Sequence, residues 1–534
     1  MNRLVLLATG WGPQFGGINS FNYDLCRSLA VLLAGRIRIT CVVPAGTGDE
    51  IEDATRSSVE LLPLTVGQTS GSLGPETAHE IAARLAAIGP TPVSAWVGHD
   101  LVTGPVAVRM VELMGGQSVL IHHMSYIDYD AFKHGEGRVA NDRRNDQRAL
   151  FSRADHAFGV GPLLRDRLAD LLGRSSADTS MLIPGLADIE PLPSPVTFTA
   201  ISFGRLDPSN DRIKQGRLAI AGFATAVRAA HAQVGSPRML RDARMTVVGI
   251  GAPGGDEERD LHVLAETKAD RVVRINALPY DDRRSAIFEH VRTSSVALML
   301  SWHEGFGLTG WEAVAAEVPL IVSLDSGLYR LVDELLGPSG TACLKPLDIR
   351  GHFGGTGEEN FRPEDEAAVR DALLDLANDL PRWKNAAKRL RTLLSEAADG
   401  CTWAQTARSL AGRLGLDAPD VIHPAPATAA PGQPGGLRAS GDPPAAQAPL
   451  GEASGTRREP AAETGVAVRP LPFVTERSPP IGARLGAGSR DGHDGTAADG
   501  PRWCRQDAPH VGSLCAARGR GLEHRIPQPR DRAG

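Results

Sequence analysis

The stretch that most constrains the fold of this chain spans residues 301–323 and reads SWHEGFGLTGWEAVAAEVPLIVS. The apolar run SSVALMLS that leads into it and the run VPLIVS near its end both predict buried strands, and WEAVAAE between them is rich in helix-forming residues. A strand, a glycine-rich loop, a helix and a second strand form the repeat of a parallel α/β sheet. Such sheets bind ligands at the carboxyl ends of their strands, so the loop EGFGLTG is predicted to lie at a ligand-binding edge.

Two carboxylates flank this loop, with seven residues between Glu304 and Glu312. Glycines in the loop let a ligand approach backbone N–H groups at the start of a helix, a favourable place for a phosphate. A single glutamate in the first turn of a helix is stabilised by the helix dipole without any function. The pair, the glycines and the strand context together favour a binding site.

The glutamate pair followed by EAVAAEVPLIVS resembles the retaining, GT-B-fold glycosyltransferases of the GT4 type, which use nucleotide-sugar donors. The resemblance implies that Glu304 faces the donor sugar and that Glu312 holds the ribose hydroxyls. The backbone amides that it places on the diphosphate are those of Gly305, Phe306, Gly307 and Leu308. Two positions depart from the family's pattern: Glu317 stands where a glycine is usual, and Arg330 where many relatives carry a glutamate.

The first residues, NRLVLLATGWGPQFGGINSFNYDLCRSLAVLLAGRIRITCVVP, predict a strand, a glycine loop, a helix and a strand, and hence a second parallel α/β unit. In the resembling family this loop approaches the donor diphosphate, which assigns Gly17 to the donor site; an ordinary tight turn is the alternative. The segment PLPSPVTF near residue 193 predicts a linker. The predicted fold class is therefore α/β, with two Rossmann-like doubly wound domains that face each other across a cleft, as in GT-B.

Three regions are predicted along the chain. Residues 1–192 form an N-terminal Rossmann-like acceptor-side domain, and residues 193–417 form a C-terminal nucleotide-sugar-binding domain with a closing helix, whose Trp403 is similar to the segment that crosses back to the first domain in this family. Residues 418–534 are rich in Ala, Gly, Pro and Arg without apolar periodicity, which predicts a disordered tail. A linker to a further domain and translation past a frameshift are alternative origins of this tail.

A departing diphosphate needs positive charge around it. Arg205 follows a predicted strand, and Lys214 comes nine residues later at a predicted helix start, matching the Arg and Lys with which the resembling family holds the two phosphates. The extra residues in DPSNDRI lengthen the predicted loop between them, so Arg212 is an alternative to Lys214. His122 and His123 directly follow the strand SVLI, and the resemblance implies that one of them contacts the donor sugar. The strand register favours His123 without excluding His122.

Three further sequence patterns resemble the motifs of other kinds of binding site. GIGAPG at residues 249–254 spells a dinucleotide motif, but Pro253 stands where a helix would open, so a turn is predicted. HEGFG lacks the second histidine of a zinc-binding helix. Asp128 and Asp130 form the D-x-D motif of the other glycosyltransferase fold within what reads as a polar loop. We expect that loop to be acceptor-side surface and the enzyme to be metal-independent.

Composition narrows the class of protein. A net charge of −6 argues against a strongly basic nucleic-acid binder. The six cysteines show no metal-binding spacing, and no signal peptide or membrane span of about 18 apolar residues is recognised. We therefore expect a cytoplasmic protein without nucleic-acid partners, with peripheral membrane contact left open.

The predicted function is retaining transfer of a hexose from a nucleotide diphosphate sugar to an unidentified acceptor, with no metal and no cofactor besides the donor. Whether Glu304 orients the sugar or acts as a nucleophile stays open. The alternatives are a nucleotide-sugar sensor or scaffold with little turnover and a GT-B-fold nucleotide-sugar epimerase. The sequence specifies neither the donor's base and sugar nor the acceptor, which could be a sugar, a lipid-linked glycan, a small molecule or a protein.

Overall fold

A computed structural model describes residues 2–67, 71–134, 137–204, 206, 208–232, 237–279, 283–352, 359–397 and 400–416. Two predictions lie outside these residues: the phosphate-binding role of Arg205 and the disordered tail at residues 418–534. Every described residue belongs to one compact unit, Met1–Ala430.

The strands of the described residues form two sheets, and every strand pair in them is parallel. The first sheet consists of β1 (Asn2–Leu7), β2 (Ile37–Gly46), β3 (Glu60–Val66), β4 (Val93–His99), β5 (Gln117–His122), β6 (His156–Val160) and β7 (Ser180–Leu182). The second consists of β8 (Thr199–Phe203), β9 (Arg244–Ile250), β10 (Arg274–Pro279), β11 (Val296–Met299), β12 (Leu320–Ser323) and β13 (Lys345–Leu347).

Helices connect these strands and cover both faces of each sheet. They are α1 (Gly17–Leu32), α2 (Gly48–Arg56), α3 (Ala78–Ala87), α4 (Asp100–Met114), α5 (Tyr126–His134), α6 (Gly137–Phe151), α7 (Gly161–Leu172), α8 (Pro208–Lys214), α9 (Gly216–Ala232), α10 (Asp256–Ala269), α11 (Arg284–Arg292), α12 (Leu308–Ala315), α13 (Gly327–Leu336), α14 (Pro338–Thr341), α15 (Pro363–Asn378), α16 (Leu380–Glu396) and α17 (Trp403–Arg413). None of these described helices is both long and apolar enough to cross a membrane.

The strand order fixes where a ligand can bind. It is β3-β2-β1-β4-β5-β6-β7 in the first sheet and β10-β9-β8-β11-β12-β13 in the second. In each sheet the chain starts in the middle, builds to one edge and then returns to build the other half. A crevice therefore opens beyond the carboxyl ends of β1 and β4, and another beyond those of β8 and β11. The two doubly wound sheets that the sequence predicts are confirmed.

The two halves share one apolar core. Strands β11 and β12 are buried along their whole length, as expected for parallel strands covered on both faces. One cluster of buried side chains joins Leu25 and Val97 of the first half to Phe306 and Val322 of the second, and it includes Leu410 of α17. The two halves are consequently joined by a packed interface.

Two segments predicted as loops are helices. The polar segment SYIDYDAFKH forms α5, and the insertion before Lys214 forms α8, so Lys214 ends a helix instead of beginning one. Pro208 suits the first position of α8, because its fixed φ is helical and its missing N–H would have no partner there. Gln215, with φ of +58°, separates α8 from α9.

The last helix returns to the first half of the molecule. The ring of Trp403 packs edge-on against that of Phe21 in α1, with 5.3 Å between the ring centroids. The hydroxyl of Thr406 donates to the carbonyl oxygen of Ile183, and the N–H of Leu186 donates to that of Cys401. These contacts hold α17 beside α1, on the outer side of the first crevice.

Candidate active site

The crevice of the second sheet holds an ion pair between two predicted site residues. Lys214 comes from α8, which follows β8, and Glu304 comes from the loop after β11. The ammonium of Lys214 lies 2.6 Å from Oε2 of Glu304, and the hydroxyl of Ser301 donates to the same oxygen at 3.0 Å. Burial alone would raise the pKa of Glu304, but the charge and hydrogen bond of Lys214 and the bond from Ser301 outweigh it, and the pKa lies below its usual value. Glu304 is therefore a carboxylate at neutral pH.

The glycine-rich loop runs beside this ion pair, since a Cβ at Gly307 would lie 3.4 Å from Cγ of Glu304. Gly307 precedes α12 with φ of +99°, a left-handed conformation that a residue with a Cβ adopts only with strain. A Cβ at Gly305 would lie 3.0 Å from the carbonyl oxygen of His123, and one at Gly17 would lie 3.3 Å from Leu308. The loops of the two halves are thus in contact where the sequence places the donor diphosphate.

The side chain of Phe306 packs in the interface between the two halves. It is 5% exposed and packs edge-on against Trp311 at 5.7 Å between ring centroids. On the other side, a Cβ at Gly161 of α7 would lie 2.7 Å from the Phe306 ring. Of Phe306, only the backbone remains for a ligand, in keeping with the amide role that the sequence predicts.

His123 ends a chain of polar groups in the first crevice. Its Nε2 lies 2.9 Å from Nδ1 of His99, whose Nε2 lies 3.0 Å from the amide oxygen of Asn22. Burial lowers the pKa of His99 to about 4, and burial together with the neighbouring imidazoles lowers the pKa of His123 as well, so both rings are neutral. With the Asn22 oxygen accepting from His99, His99 in turn accepts from His123. This leaves Nδ1 of His123 as a hydrogen-bond acceptor.

His122 has a different environment from its neighbour. It is 1% exposed, and its Nδ1 lies 2.9 Å from Oδ1 of Asp100. The other oxygen of Asp100 accepts from the backbone N–H groups of His123 and Met124, at 2.6 Å and 3.1 Å. Asp100 thus fixes the turn that carries His123, whereas the ring of His122 points into the core of the first half.

Glu312 lies on α12 beside two charged residues that connect the halves. Arg284 at the start of α11 donates from Nη1 to Oδ2 of Asp24 in α1, at 2.7 Å. Burial raises the pKa of Glu312 to about 7; Arg284 opposes this rise and Asp24 adds to it. Glu312 is therefore the predicted site residue whose charge changes near neutral pH.

Donor binding should consequently depend on pH through Glu312. The ribose hydroxyls would donate to a carboxylate, and a folded-state pKa near 7 means that protonation removes this acceptor as the pH falls through 7. If only the ionised form binds, the dissociation constant of a nucleotide diphosphate sugar rises about tenfold from pH 8 to pH 6. Titration calorimetry at several pH values measures this, since the donor's own phosphates do not titrate in that range. In Glu312→Gln the slope should vanish, and an unchanged slope would contradict the assignment.

The D-x-D carboxylates are neutralised by arginines. Oδ2 of Asp128 lies 2.9 Å from Nε of Arg167, and Oδ2 of Asp130 lies 3.7 Å from Nε of Arg143. Asp128 also lies 3.9 Å from the ring of His303, so it faces the second half. The described residues contain no group of three or more His, Cys, Asp or Glu side chains arranged to hold a metal ion.

The two departures from the family's pattern have local partners. Glu317 ends the turn after α12 with φ of +55°, the region that favours the usual glycine, and its carboxylate lies 3.4 Å from Arg391 of α16. Arg330 lies 3.6 Å from Asp166 of α7, so it contacts the first half of the molecule. Neither side chain contacts Glu304.

Sequence reasoning missed the residues that support the site. Asp100, Asn22 and Arg284 each hold or face a predicted site residue, yet none belongs to a motif. The only local signal was position: Asp100 directly follows a strand that ends at the edge of the sheet. Their roles depend on contacts between distant segments.

A comparison with protein families identifies the family of the chain. The family described as Family 4 Glycosyltransferase in conflict systems matches residues 5–410. The chain belongs to this family. A comparison with curated protein sequences found no match.

Solved glycosyltransferase structures share the fold. Sucrose-phosphate synthase of Thermosynechococcus elongatus has a TM-score of 0.56 and 16% identity, over 78% of this chain and 98% of that one. HepE of Anabaena, in complex with UDP and glucose, has a TM-score of 0.54 and 14% identity, over 78% and 100%. The trehalose-6-phosphate enzyme of E. coli bound with UDP-2-fluoro glucose has a TM-score of 0.52 and 13% identity, over the same shares. The predicted GT-B fold of this family 4 glycosyltransferase is confirmed.

Proposed function

We propose that this family 4 glycosyltransferase transfers a hexose, with retention of configuration, from a nucleotide diphosphate sugar to an acceptor not yet identified. The observation that carries the proposal is the 2.6 Å ion pair of Lys214 and Glu304, in the crevice of the second sheet and close to His123 of the first. It supplies a cation for the phosphates and an oriented carboxylate for the sugar within one small region.

Each donor group has a matching element. The Lys214 ammonium and the N–H groups at the start of α12 suit the diphosphate, because both carry positive charge toward it. Glu312, one turn further along α12, suits the ribose hydroxyls. Glu304 and the acceptor nitrogen of His123 suit the sugar hydroxyls.

In the reaction, the bond between the anomeric carbon and the diphosphate oxygen breaks. The acceptor oxygen then bonds to that carbon on the same face, and its proton passes to the departing diphosphate. Lys214 stabilises the charge that grows on the diphosphate, a role that a metal ion plays in other transferases. The carboxylate of Glu304 already accepts hydrogen bonds from Lys214 and Ser301. These bonds favour a role for Glu304 in orienting the sugar over a role as the nucleophile.

A ligand panel tests the proposal on the full chain. Thermal unfolding is followed with UDP, GDP and ADP and with their glucose, mannose and N-acetylglucosamine derivatives. A ligand at about 100 times its dissociation constant stabilises the fold by roughly 2.7 kcal/mol, a shift of several degrees. We expect one nucleotide family to shift the midpoint, and no shift with any of them would contradict a donor site.

Assays of turnover then distinguish the proposed reaction from its alternatives. With the bound donor and excess EDTA, we expect slow hydrolysis to a sugar of the donor's anomeric configuration, followed by NMR. The inverted anomer would contradict retention, loss of activity in EDTA would contradict metal independence, and an epimerised nucleotide sugar would indicate an epimerase. Binding with no turnover in the presence of candidate acceptors would favour the sensor alternative.

A further inference from the structure

A groove of about 580 Å³ lies along α1, between the end of α2 and the start of α17. Each of these helices contributes one arginine to its wall: Arg27 from α1, Arg56 from α2 and Arg408 from α17. The wall includes neither Lys214 nor Glu304. The groove is therefore separate from the donor site proposed above.

Two of the three guanidinium groups face the groove with neutral partners. Arg27 donates to the hydroxyl of Tyr23 at 3.3 Å and lies over its ring at 5.1 Å, and Arg408 donates to the side-chain oxygen of Gln405 at 3.1 Å. Neither forms an ion pair with any residue in the ranges that the structure describes. Both guanidinium groups carry a positive charge on the wall of the same groove, where they repel one another. An anion bound in the groove would be attracted by Arg27 and by Arg408.

Arg56 and Asp24 account for the other charges of the groove. Arg56 is paired with Glu52 at 2.9 Å and with Asp53 at 3.4 Å, so its charge is largely compensated. Asp24 is held by Arg284 at 2.7 Å. Arg27 interacts with Asp24 less strongly than Arg284 does. The arginines of the wall without an ion-pair partner among the described residues are thus Arg27 and Arg408.

Apart from Ser28, Ser57 and Ser58, the rest of the wall is apolar. Val31 is 79% exposed there, whereas Leu25 and Leu29 of the same helix are fully buried. Trp403 lies against the groove with its ring fixed by Phe21. Exposed apolar surface beside a tryptophan and two arginines suits a molecule that has both an apolar ring face and an anionic group.

We propose that this groove binds a small organic phosphate as a second ligand. The phosphate would lie between Arg27 and Arg408, because the guanidinium fork matches two phosphate oxygens at once. The body of the ligand would pack on Trp403 and Val31. A sugar phosphate and a nucleoside monophosphate share this chemistry, and the volume of the groove admits either.

Titration calorimetry on the full chain tests the proposal with glucose 6-phosphate, AMP and inorganic phosphate. We expect one of the organic phosphates to bind at least tenfold more tightly than inorganic phosphate, and the tighter one identifies the body of the ligand. The double variant Arg27→Ala/Arg408→Ala should weaken this binding at least tenfold. Both side chains are exposed, so the fold should tolerate their removal.

Two matched variants separate this groove from the donor site. Lys214→Ala should leave organic phosphate binding unchanged, and Lys388→Ala/Arg389→Ala, at two exposed basic residues of α16, controls for net charge. Binding that is lost in Lys214→Ala but kept in the double arginine variant would overturn the proposal, because the phosphate would then occupy the donor site. Absence of binding by all three probes, or equal affinity for inorganic and organic phosphate, would overturn it as well. Neither result would affect the nucleotide panel that tests the donor site.

Discussion

Replacing Lys214 with alanine is expected to weaken nucleoside diphosphate binding about 10- to 100-fold. Hydrogen bonds to charged groups contribute about 1.5–3 kcal/mol, which corresponds to this range. The substitution also leaves the Glu304 carboxylate without its 2.6 Å partner, so that its charge would repel the diphosphate. Titration calorimetry with UDP, GDP and ADP on the wild type and the variant measures the change.

Two further variants make the result specific. Lys388→Ala removes an exposed lysine of α16 and should leave the dissociation constant unchanged. Lys214→Arg keeps the charge and should recover part of the affinity. If Lys214→Ala bound nucleotides as tightly as the wild type, the phosphate-binding role would pass to Arg212, the alternative that the sequence left open.

Replacing Asp100 with alanine is expected to lower the free energy of unfolding by about 3–5 kcal/mol. Its buried carboxylate accepts from the backbone N–H groups of His123 and Met124 and from the side-chain nitrogen of Gln147, and it holds Nδ1 of His122. Alanine would leave these groups buried without an acceptor. Urea unfolding of the wild type and the variant measures the loss.

The unfolding experiment needs a control variant at an aspartate outside this hydrogen-bond network. Asp242 is exposed and lies before β9, far along the chain from this network, so Asp242→Ala should change the unfolding free energy by less than about 0.5 kcal/mol. Asp100→Asn keeps an oxygen for part of the network and should cost less than Asp100→Ala. A loss below 1 kcal/mol in Asp100→Ala would contradict the role of Asp100 in fixing the turn at His123.

The segments that the sequence predicted correctly are those with strong local signals. Strands such as β11 and β12 are continuous apolar runs, and α12 between them follows a glycine loop that can only be a turn. By contrast, α5 and α8 are short and polar and have weak propensity of their own. They form because they pack against each other across the crevice, which no local pattern encodes.

The residues of the candidate site also divide into those that a local sequence pattern predicts and those that it does not. The spacing of Glu304 and Glu312 around a glycine loop is local, and it predicts that a donor binds at this edge of the second sheet. A local pattern was not sufficient to choose between His122 and His123, because adjacent residues of a strand differ only in the face of the sheet to which they point. The structure assigns His122 to Asp100 and places His123 against Gly305.

The sequence by itself determined two parallel α/β sheets and the loops at their carboxyl edges, because hydrophobic periodicity and glycine placement act within a few residues. Only the tertiary structure decided which charges meet. Lys214 and Glu304 are 90 residues apart in sequence, and Asp24 and Arg284 are 260 apart. Such pairs form only when two independently patterned sheets pack on one shared core, and the register of that packing depends on the shapes of many buried side chains at once.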